Sequence, residues 1–298
     1  MWKMFTCLRS AIVFVAVTLV AAPESFALNK SGKKETLRVL YWNIQNGMWA
    51  GQPDKYDAFV EWIKSQDPDI CIFAEAAQIY YDGTNVQMPN EERYPIDSIY
   101  VVKGHEPDTV VVNYSGWYQV RVEGVKKPVN IVTVHLKNAR YGYNVPKERR
   151  QESADNYEGE QHRIKEVTCI LDHTVRRTKN PDKEIWIMAG DFNSYSSKDN
   201  YTYKWNDVDK AFQTQDYMTL QSPFFDLVSE YYPDVFMPTC GNLRIDYMYV
   251  SKPVLRACTN VIAQPDSYTK RVNSGVDKFY IPSDHYPIIA EFKISKLK

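Results

Sequence analysis

An α/β fold in a single domain is what this 298-residue sequence predicts. First, 44% of the residues are hydrophobic and 24% are charged, a balance typical of globular proteins and not of disordered or fibrous chains. Second, short apolar runs rich in Val, Ile and Tyr alternate with segments of helical periodicity. Third, no repeat, low-complexity tract or linker interrupts the sequence after residue 36. We therefore expect one layered domain over residues 37–298.

The first 27 residues have the pattern of a secretory signal peptide. Lys3 and Arg9 precede an apolar run over residues 11–22, and small residues end the segment at Ala27. The alternative is a membrane anchor, but the run is shorter than the roughly 20 residues that cross a bilayer. We predict cleavage near Ala27, a polar leader over residues 28–36, and a secreted or periplasmic protein.

Apolar runs bounded by turn residues predict the strands, and apolar residues at helical spacing predict the helices. The predicted strands cover residues 37–42, 70–74, 98–102, 109–113, 117–123, 129–135, 185–189, 244–250 and 288–294. The predicted helices cover residues 56–66, where Asp67-Pro68-Asp69 ends the pattern, and 157–177. We expect a long polar and aromatic loop over residues 195–222.

Charge and cysteine content exclude two classes of protein. A net charge of −1 argues against a polycation that coats nucleic acid or an anionic membrane. Five cysteines are too few for a disulfide scaffold in a chain of this length. Cys71 and Cys169 lie in apolar patterns and are expected in the core, whereas Cys240 and Cys258 flank a predicted strand and are candidates for a disulfide.

Polar side chains stand at the ends of several predicted strands. They are Asn43, Glu75, His135, Asp191, Asn193, Asp246, Asp284 and His285. Because strand ends of a layered α/β fold meet at one edge, these side chains are expected to share a cleft. Carboxylate and amide oxygens suit Mg²⁺ or Mn²⁺, clustered carboxylates require a cation or a proton between them, and histidines supply acid–base groups. The pattern indicates metal-assisted hydrolysis of a phosphate ester.

Each of these residues also has an ordinary structural interpretation. Asp191 and Asn193 could form an Asx turn, Asp246 could pair with Arg244, and Asp284 could cap a turn. A functional site is excluded only if all of these structural interpretations are correct at the same time.

Six short motifs follow one another in the order of a known family. They are residues 42–45 (WNIQ), 72–75 (IFAE), 134–136 (VHL), 190–193 (GDFN), 244–247 (RIDY) and 283–287 (SDHYP). In them the chain resembles the endonuclease/exonuclease/phosphatase family of DNases, apurinic endonucleases, inositol-polyphosphate 5-phosphatases and neutral sphingomyelinases. The resemblance implies a four-layer α/β/β/α sandwich of two mixed β-sheets with a cleft at one end.

The resemblance also implies a role for each motif residue. Glu75 and Asn43 would hold Mg²⁺ or Mn²⁺, with Asp284 close enough to contribute. Asp191 would orient or deprotonate the attacking water, and Asn193 would fix that water and touch the phosphate. His285, held by Asp246, would bind the scissile phosphate or move a proton. His135 would donate to the phosphate or to the leaving oxygen from the opposite side.

The substrate is less well defined by the sequence. Arg140 and Tyr141, just past the VHL motif, are expected to contact substrate, and the aromatic residues of the 195–222 segment are candidates for the cleft rim. We expect a secreted enzyme that hydrolyses a phosphodiester in nucleic acid, a phospholipid headgroup or a small molecule, and that acts as a monomer. The alternatives are a phosphomonoesterase for inositol or sugar phosphates and a non-catalytic exported binding module.

Overall fold

The computed structural model of the protein describes residues 14–17, 34–44, 62–63, 65–75, 92–94, 115–138, 140–264 and 283–297. Most of the predicted signal peptide, the predicted strands 98–102 and 109–113, and the first part of the predicted helix 56–66 lie outside these residues.

The described strands form two mixed sheets. In chain order they are β1 (Phe14–Val17), β2 (Thr36–Asn43), β3 (Ile70–Ala74), β4 (Glu92–Tyr94), β5 (Gly116–Val120), β6 (Val129–His135), β7 (Ile185–Asp191), β8 (Phe224–Asp226), β9 (Asp246–Ser251), β10 (Cys258–Ala263) and β11 (Ile288–Lys293). The first sheet has the order β1-β3-β2-β11-β10 and the second the order β4-β5-β6-β7-β9-β8. Strands β2 and β3 are parallel, as are β6 and β7, and the remaining pairs are antiparallel.

Helices flank the two sheets. In chain order the described ones are α1 (Arg150–Asp155), α2 (Glu158–His173), α3 (Asn200–Tyr203), α4 (Val208–Ala211), α5 (Gln213–Gln221), α6 (Leu227–Tyr231) and α7 (Lys252–Ala257). Helix α2 packs on an outer face, whereas Leu227 of α6 and Val254 of α7 belong to the core between the sheets. Short 3₁₀ turns occupy Lys147–Arg149, Val175–Arg177, Pro181–Lys183, Ser197–Asp199 and Ile294–Lys296. Within the described part of the chain, no helix combines the length and the apolar character needed to cross a membrane.

The central strands are buried on both faces, which explains their nearly continuous apolar sequences. In β7, Ile185 and Ile187 point into the core between the two sheets, whereas Trp186 and Met188 pack on the outer face. That outer face is covered by apolar residues of α2, including Ile170. The outer face of the first sheet has its own apolar cluster, built around Trp42 and Trp62. The predicted four-layer architecture is confirmed.

Most predicted elements are confirmed within a few residues, but the long loop over residues 195–222 is wrong. Helices α3, α4 and α5 occupy much of that segment. The aromatic residues there pack on one another: the ring of Trp205 stacks on the ring of Tyr203 and on the ring of Phe212. This tertiary packing stabilises short helices that have little amphipathic pattern of their own.

Two further expectations need correction. The long helix ends at His173, not Arg177, because Thr174 leaves the helical conformation (φ −123°, ψ −90°) and a 3₁₀ turn follows. Cys71 and Cys169 are buried as expected, but Cys240 and Cys258 are both free thiols and form no disulfide. Strand β10 escaped sequence analysis because Thr259 and Asn260 are exposed and interrupt its apolar pattern.

Strand direction places the polar strand ends together. Parallel β2 and β3 end at Asn43 and Ala74, with Glu75 directly after β3, and parallel β6 and β7 end at His135 and Asp191. Antiparallel β9 and β11 begin at the same edge, where Asp246 pairs with Asp191 and Ile288 pairs with Tyr41. The ends of both sheets therefore open into one cleft.

Candidate active site

A buried histidine–aspartate pair lies at the centre of the cleft. His285 Nδ1 is 2.8 Å from Asp246 Oδ2, and both side chains are almost completely buried. Burial alone would lower the pKa of His285, but the negative charge and hydrogen bond of Asp246 raise the pKa to about 12. The imidazole is therefore held as a cation with Nδ1 donating to the carboxylate, which leaves Nε2 toward the cleft.

Neighbouring residues fix this pair from three directions. The hydroxyl of Tyr41 donates to the second oxygen of Asp246 (2.8 Å), and the indole Nε1–H of Trp42 donates to the His285 carbonyl (2.8 Å). Ser283 Oγ accepts from the His285 backbone N–H (3.0 Å) and donates to the Asn43 carbonyl (2.6 Å). Strand β2 thus holds His285 in place. A small shift of β2 would change the distance between His285 and Asp246.

Asp191 faces the histidine from the end of β7. Its Oδ2 lies 3.9 Å from His285 Nε2 and accepts from the side-chain amide of Asn43 (3.2 Å). The same Asn43 amide donates to Glu75 Oε1 (3.2 Å), so it joins two carboxylates of different strands. Burial, reinforced by the negative charge of Asp246, raises the pKa of Asp191 to about 8. A carboxylate with such a pKa is a suitable general base near neutral pH.

The turn after β7 depends on its glycine. A Cβ atom on Gly190 would lie 2.0 Å from the carbonyl oxygen of Val134, so no larger residue fits between β6 and β7. Asn193 follows in the left-handed region (φ 49°), and its backbone N–H donates to Asp191 Oδ1 (2.8 Å). Its side-chain amide donates to the Leu136 carbonyl (3.0 Å) and to Asp191 Oδ2 (3.2 Å). The Asx turn predicted as a structural alternative is therefore present, and it positions the carboxylate.

His135 lies opposite His285 across Asp191. Its Nε2 is 3.5 Å from Glu75 Oε1 and 3.7 Å from Asp191 Oδ2. Burial lowers the pKa of His135, although the nearby Glu75 charge opposes that effect. The two histidines thus differ, one held as a cation and one inclined to be neutral, and both are directed at Asp191.

Three groups of side chains among the described residues have ligand atoms within 4.8 Å of one another, close enough to hold a metal ion. The first is Glu75, His135 and Asp191, the second is Cys240, Asp284 and His285, and the third is Asp191, Asp246 and His285, which shares one residue with each of the others. Glu75 also has a left-handed backbone (φ 55°), a conformation that is uncommon for a residue with a Cβ atom. Oxygen donors at Glu75, Asp191 and Asn43 fit a hard divalent cation. Burial, and after it the charge of Asp246, raises the pKa of Asp191, and a cation beside this carboxylate would favour its ionised form.

The predicted metal ligands are therefore distributed over the cleft. Asn43 and Glu75 lie together, as the resemblance implies. Asp284 is exposed, and its Oδ1 lies 3.7 Å from His285 Nε2, the nitrogen that also faces Asp191. Its contribution to the same cation as Glu75 stays a prediction.

A cavity of about 610 Å³ adjoins the cleft at Asn193. Arg140 lines this cavity, together with three aromatic side chains, Tyr157, Tyr195 and Trp205. Its other lining residues are Asn138, Ala154, Asp155, Glu160, Arg163, Asp207, Ala211 and Ile245. Tyr141, the second predicted substrate contact, packs instead on Arg150, whose guanidinium lies 5.0 Å from the ring centre.

Sequence analysis missed several residues that shape the site. Tyr41 was treated as an ordinary strand residue, and Trp42 and Ser283 were parts of motifs without an assigned role. Arg244 was offered as a partner for Asp246, but its guanidinium binds Asp199 and Asp226 instead, both at 2.7 Å. No local pattern marks such long-range partners.

The comparisons with known proteins agree with this geometry. Residues 40–285 match the Endonuclease/Exonuclease/phosphatase family. No curated protein is close enough in sequence to count as a match.

Among solved structures, the human Nocturnin catalytic domain with a bound sulfate anion superposes with a TM-score of 0.55 at 16% identity, covering 87% of this chain and 93% of that one. The 3'-5' exonuclease NExo of Neisseria meningitidis superposes with a TM-score of 0.53 at 19% identity, covering 86% and 100%. An AP endonuclease of Archaeoglobus fulgidus gives 0.51 at 14% identity, covering 86% and 99%. By its sequence match over most of its length, with the matching fold, the chain belongs to the endonuclease/exonuclease/phosphatase family.

Proposed function

We propose that this protein is a divalent-metal-dependent phosphoesterase that cleaves a phosphodiester by attack of water. The observation that carries the proposal is the buried Asp246–His285 pair, whose Nε2 faces Asp191 across 3.9 Å. A cationic donor and a carboxylate of raised pKa, placed on opposite sides of a small gap, are the groups that phosphoester hydrolysis requires.

Each side chain has a task that follows from its surroundings. His285 donates to a phosphate oxygen, and Asp246 keeps its charge and tautomer. Asp191 accepts a proton from water, while Asn43 and Asn193 hold its carboxylate in one orientation. His135, inclined to be neutral, contacts the phosphate or its leaving oxygen from the Glu75 side.

The residues suited to hold the cation are Glu75 and Asn43, with Asp191 beside them. A bound Mg²⁺ or Mn²⁺ would polarise a phosphoryl oxygen and reduce repulsion among the carboxylates. Family membership supports metal dependence, and the oxygen-rich donor set favours a hard cation.

The cavity beside Asn193 favours a diester over a monoester. A phosphodiester has a second organic substituent, and this cavity of about 610 Å³ has aromatic walls and Arg140 at its edge. Its size falls within the usual range for a small-molecule pocket, roughly 300–1,000 Å³. Acidic and basic side chains line it together, which suits a nucleotide-sized group better than a long polyanion. Similar structures include a zebrafish TDP2 with single-strand DNA product and a Neisseria 3' phosphatase with a product DNA hairpin, which support nucleic acid as the substrate class but not the preference for a diester.

The test is hydrolysis of bis-p-nitrophenyl phosphate and of p-nitrophenyl phosphate with Mg²⁺, with Mn²⁺ and with EDTA. We expect hydrolysis of the diester that EDTA abolishes, and a loss of at least 100-fold in kcat for His285→Ala. His173→Ala, at the end of α2 and outside the cleft, is the matched control and should retain its rate. Faster hydrolysis of the monoester would favour the phosphomonoesterase, and no hydrolysis of any phosphoester would favour a binding module.

We also propose that the protein is exported after removal of its signal peptide. The support is the charge and apolar pattern of residues 1–27. Strand β1 lies within the signal peptide and pairs with β3, so cleavage would leave β3 at the edge of the described sheet. N-terminal sequencing of exported protein should begin near residue 28, and a chain that retains Met1 would contradict cleavage.

A further inference from the structure

Cys240 lies next to the catalytic histidine although no role in hydrolysis requires a thiol there. The backbones of Cys240 and His285 form a β-bridge, and Tyr286 N–H donates to the Thr239 carbonyl (2.6 Å). Paired backbone bonds between Cys240 and Leu243 close a tight turn, in which Gly241 has φ +56°. These backbone bonds hold Cys240 beside His285. The fold itself therefore keeps the two side chains close together.

Three different ligand types converge at this place. The Sγ atom of Cys240, a carboxylate oxygen of Asp284 and a ring nitrogen of His285 all lie within 4.8 Å of one another. Because Nδ1 of His285 is 2.8 Å from Asp246, Nε2 is the nitrogen available to a ligand, and it lies 3.7 Å from Asp284 Oδ1. In a tetrahedral zinc site the ligand atoms lie about 3.3–3.8 Å apart, given bonds of about 2.0–2.3 Å. The side chain of Asp284 is 51% exposed, so a metal ion can approach its carboxylate from solvent.

The donor set distinguishes this group from the one around Glu75. Thiolate, imidazole and carboxylate are the zinc ligands of proteins, whereas Mg²⁺ avoids sulfur and prefers oxygen. Glu75, His135 and Asp191 contain no sulfur, and they share none of their side chains with the Cys240 group. The cleft thus offers a hard site and a soft site next to each other, joined by the 3.9 Å approach of Asp191 to His285.

We propose that Cys240, Asp284 and His285 form a second metal site that takes Zn²⁺ and inhibits the enzyme. Zinc binds the Cys240 thiolate, the Asp284 carboxylate and His285 Nε2, and the thiol and imidazolium protons go to solvent. The nitrogen that would donate to phosphate is then a metal ligand, so hydrolysis stops. The binding of Zn²⁺ to these three side chains is independent of the proposed function. The inhibition of hydrolysis by Zn²⁺ rests on the proposed function.

Cobalt reports the site without any need for activity, because a Co²⁺–thiolate bond has a near-ultraviolet charge-transfer band. Purified protein in a large excess of Mg²⁺, which fills the oxygen-donor site, is titrated with Co²⁺ and then with Zn²⁺. We expect the band to grow to one equivalent and to disappear when Zn²⁺ displaces Co²⁺. Cys240→Ser should lack the band, and Cys258→Ser, the matched control at another partly buried thiol, should keep it. A wild-type protein without the band, or an undiminished band in Cys240→Ser, would overturn the site.

A second measurement uses only the wild-type chain, so its result does not depend on whether a variant folds. One equivalent of Zn²⁺ should slow alkylation of Cys240 by iodoacetamide at least tenfold, as read by peptide mass spectrometry, and should leave Cys258 unaffected in the same sample. Equal rates at Cys240 with and without Zn²⁺ would again reject the site.

Inhibition is measured last, on diester hydrolysis in excess Mg²⁺. Zn²⁺ should inhibit the wild-type protein and Cys258→Ser at the concentration that gives the cobalt displacement, and at least tenfold more should be needed for Cys240→Ser. A protein that binds cobalt through Cys240 but hydrolyses no phosphoester would refute the proposed function and leave the site intact. Equal inhibition of the wild-type protein and Cys240→Ser would refute the inhibitory role.

Discussion

Replacing Asp246 by Asn tests the central pair while it changes almost no volume. Tyr41 still donates to the remaining oxygen, but the new amide presents N–H where His285 Nδ1 needs an acceptor. The imidazole must then carry its proton on Nε2 and be neutral, so the cation that faces the phosphate is lost.

The expected magnitude follows from the burial of the pair. Both side chains are at most 8% exposed, so no solvent replaces the missing charge. Acid–base groups contribute about 10²–10⁴-fold to turnover, and removal of the carboxylate from an Asp–His pair of a hydrolase costs about 10⁴-fold. We expect kcat to fall about 10³-fold, equivalent to about 4 kcal/mol of activation free energy, with little change in KM.

The assay has two readouts on the same protein. Hydrolysis of bis-p-nitrophenyl phosphate in saturating Mg²⁺ gives kcat and KM, and the pH titration of the His285 ring by NMR gives its pKa, which should fall toward or below its ordinary value. Asp226→Asn is the matched control, because Asp226 is also buried and paired (2.7 Å from Arg244) but lies outside the cleft. That variant should lose stability, by about 3–5 kcal/mol, and keep its turnover when folded. If Asp246→Asn retains more than a tenth of wild-type kcat, or if His285 stays cationic through neutral pH, the assigned role is refuted.

Three further predictions concern the metal site, the cavity and a buried acid. Glu75→Gln should raise the Mg²⁺ concentration for half-maximal activity at least tenfold, and an unchanged titration would remove Glu75 from the metal site. Trp205→Ala should raise KM several-fold for a nucleoside 5'-p-nitrophenyl phosphate but not for methyl p-nitrophenyl phosphate, and equal changes for both would exclude the cavity as a subsite. Burial raises the pKa of Glu166 to about 7. Because the unfolded chain ionises this group near 4.5, the free energy of unfolding should fall by about 3 kcal/mol as pH rises from about 4.5 to 7. Glu166→Gln should show a flatter pH dependence in urea denaturation, and a slope equal to that of the wild-type protein would contradict this effect.

The strands and the polar residues at their ends were predictable because both are local signals. An apolar run followed by Asn, Glu, His or Asp needs no knowledge of the rest of the chain, and strand direction then brings the ends of β2, β3, β6 and β7 to one edge. The family resemblance added the order of the motifs and the expected partner of His285, and the Asp246 contact at 2.8 Å agrees with it.

The supporting contacts were not predictable, since they join residues far apart in the chain. The Tyr41 hydroxyl reaches Asp246 across 205 positions, and Ser283 reaches the Asn43 carbonyl across 240. The short helix α3 packs its Tyr203 ring against Tyr195 and Phe236, which lie outside the helix, and no periodicity records such contacts.

Local residue pattern thus sufficed for the layered fold, the positions of most strands and the polar residue types in the cleft, because these depend on side-chain type and alternation along the chain. The three-dimensional packing alone decided which carboxylate contacts which histidine, how strongly Asp191 and His285 hold their protons, and that a thiol stands beside the His285 imidazole. Those properties arise from burial and from distances between separate strands, and a linear sequence contains neither.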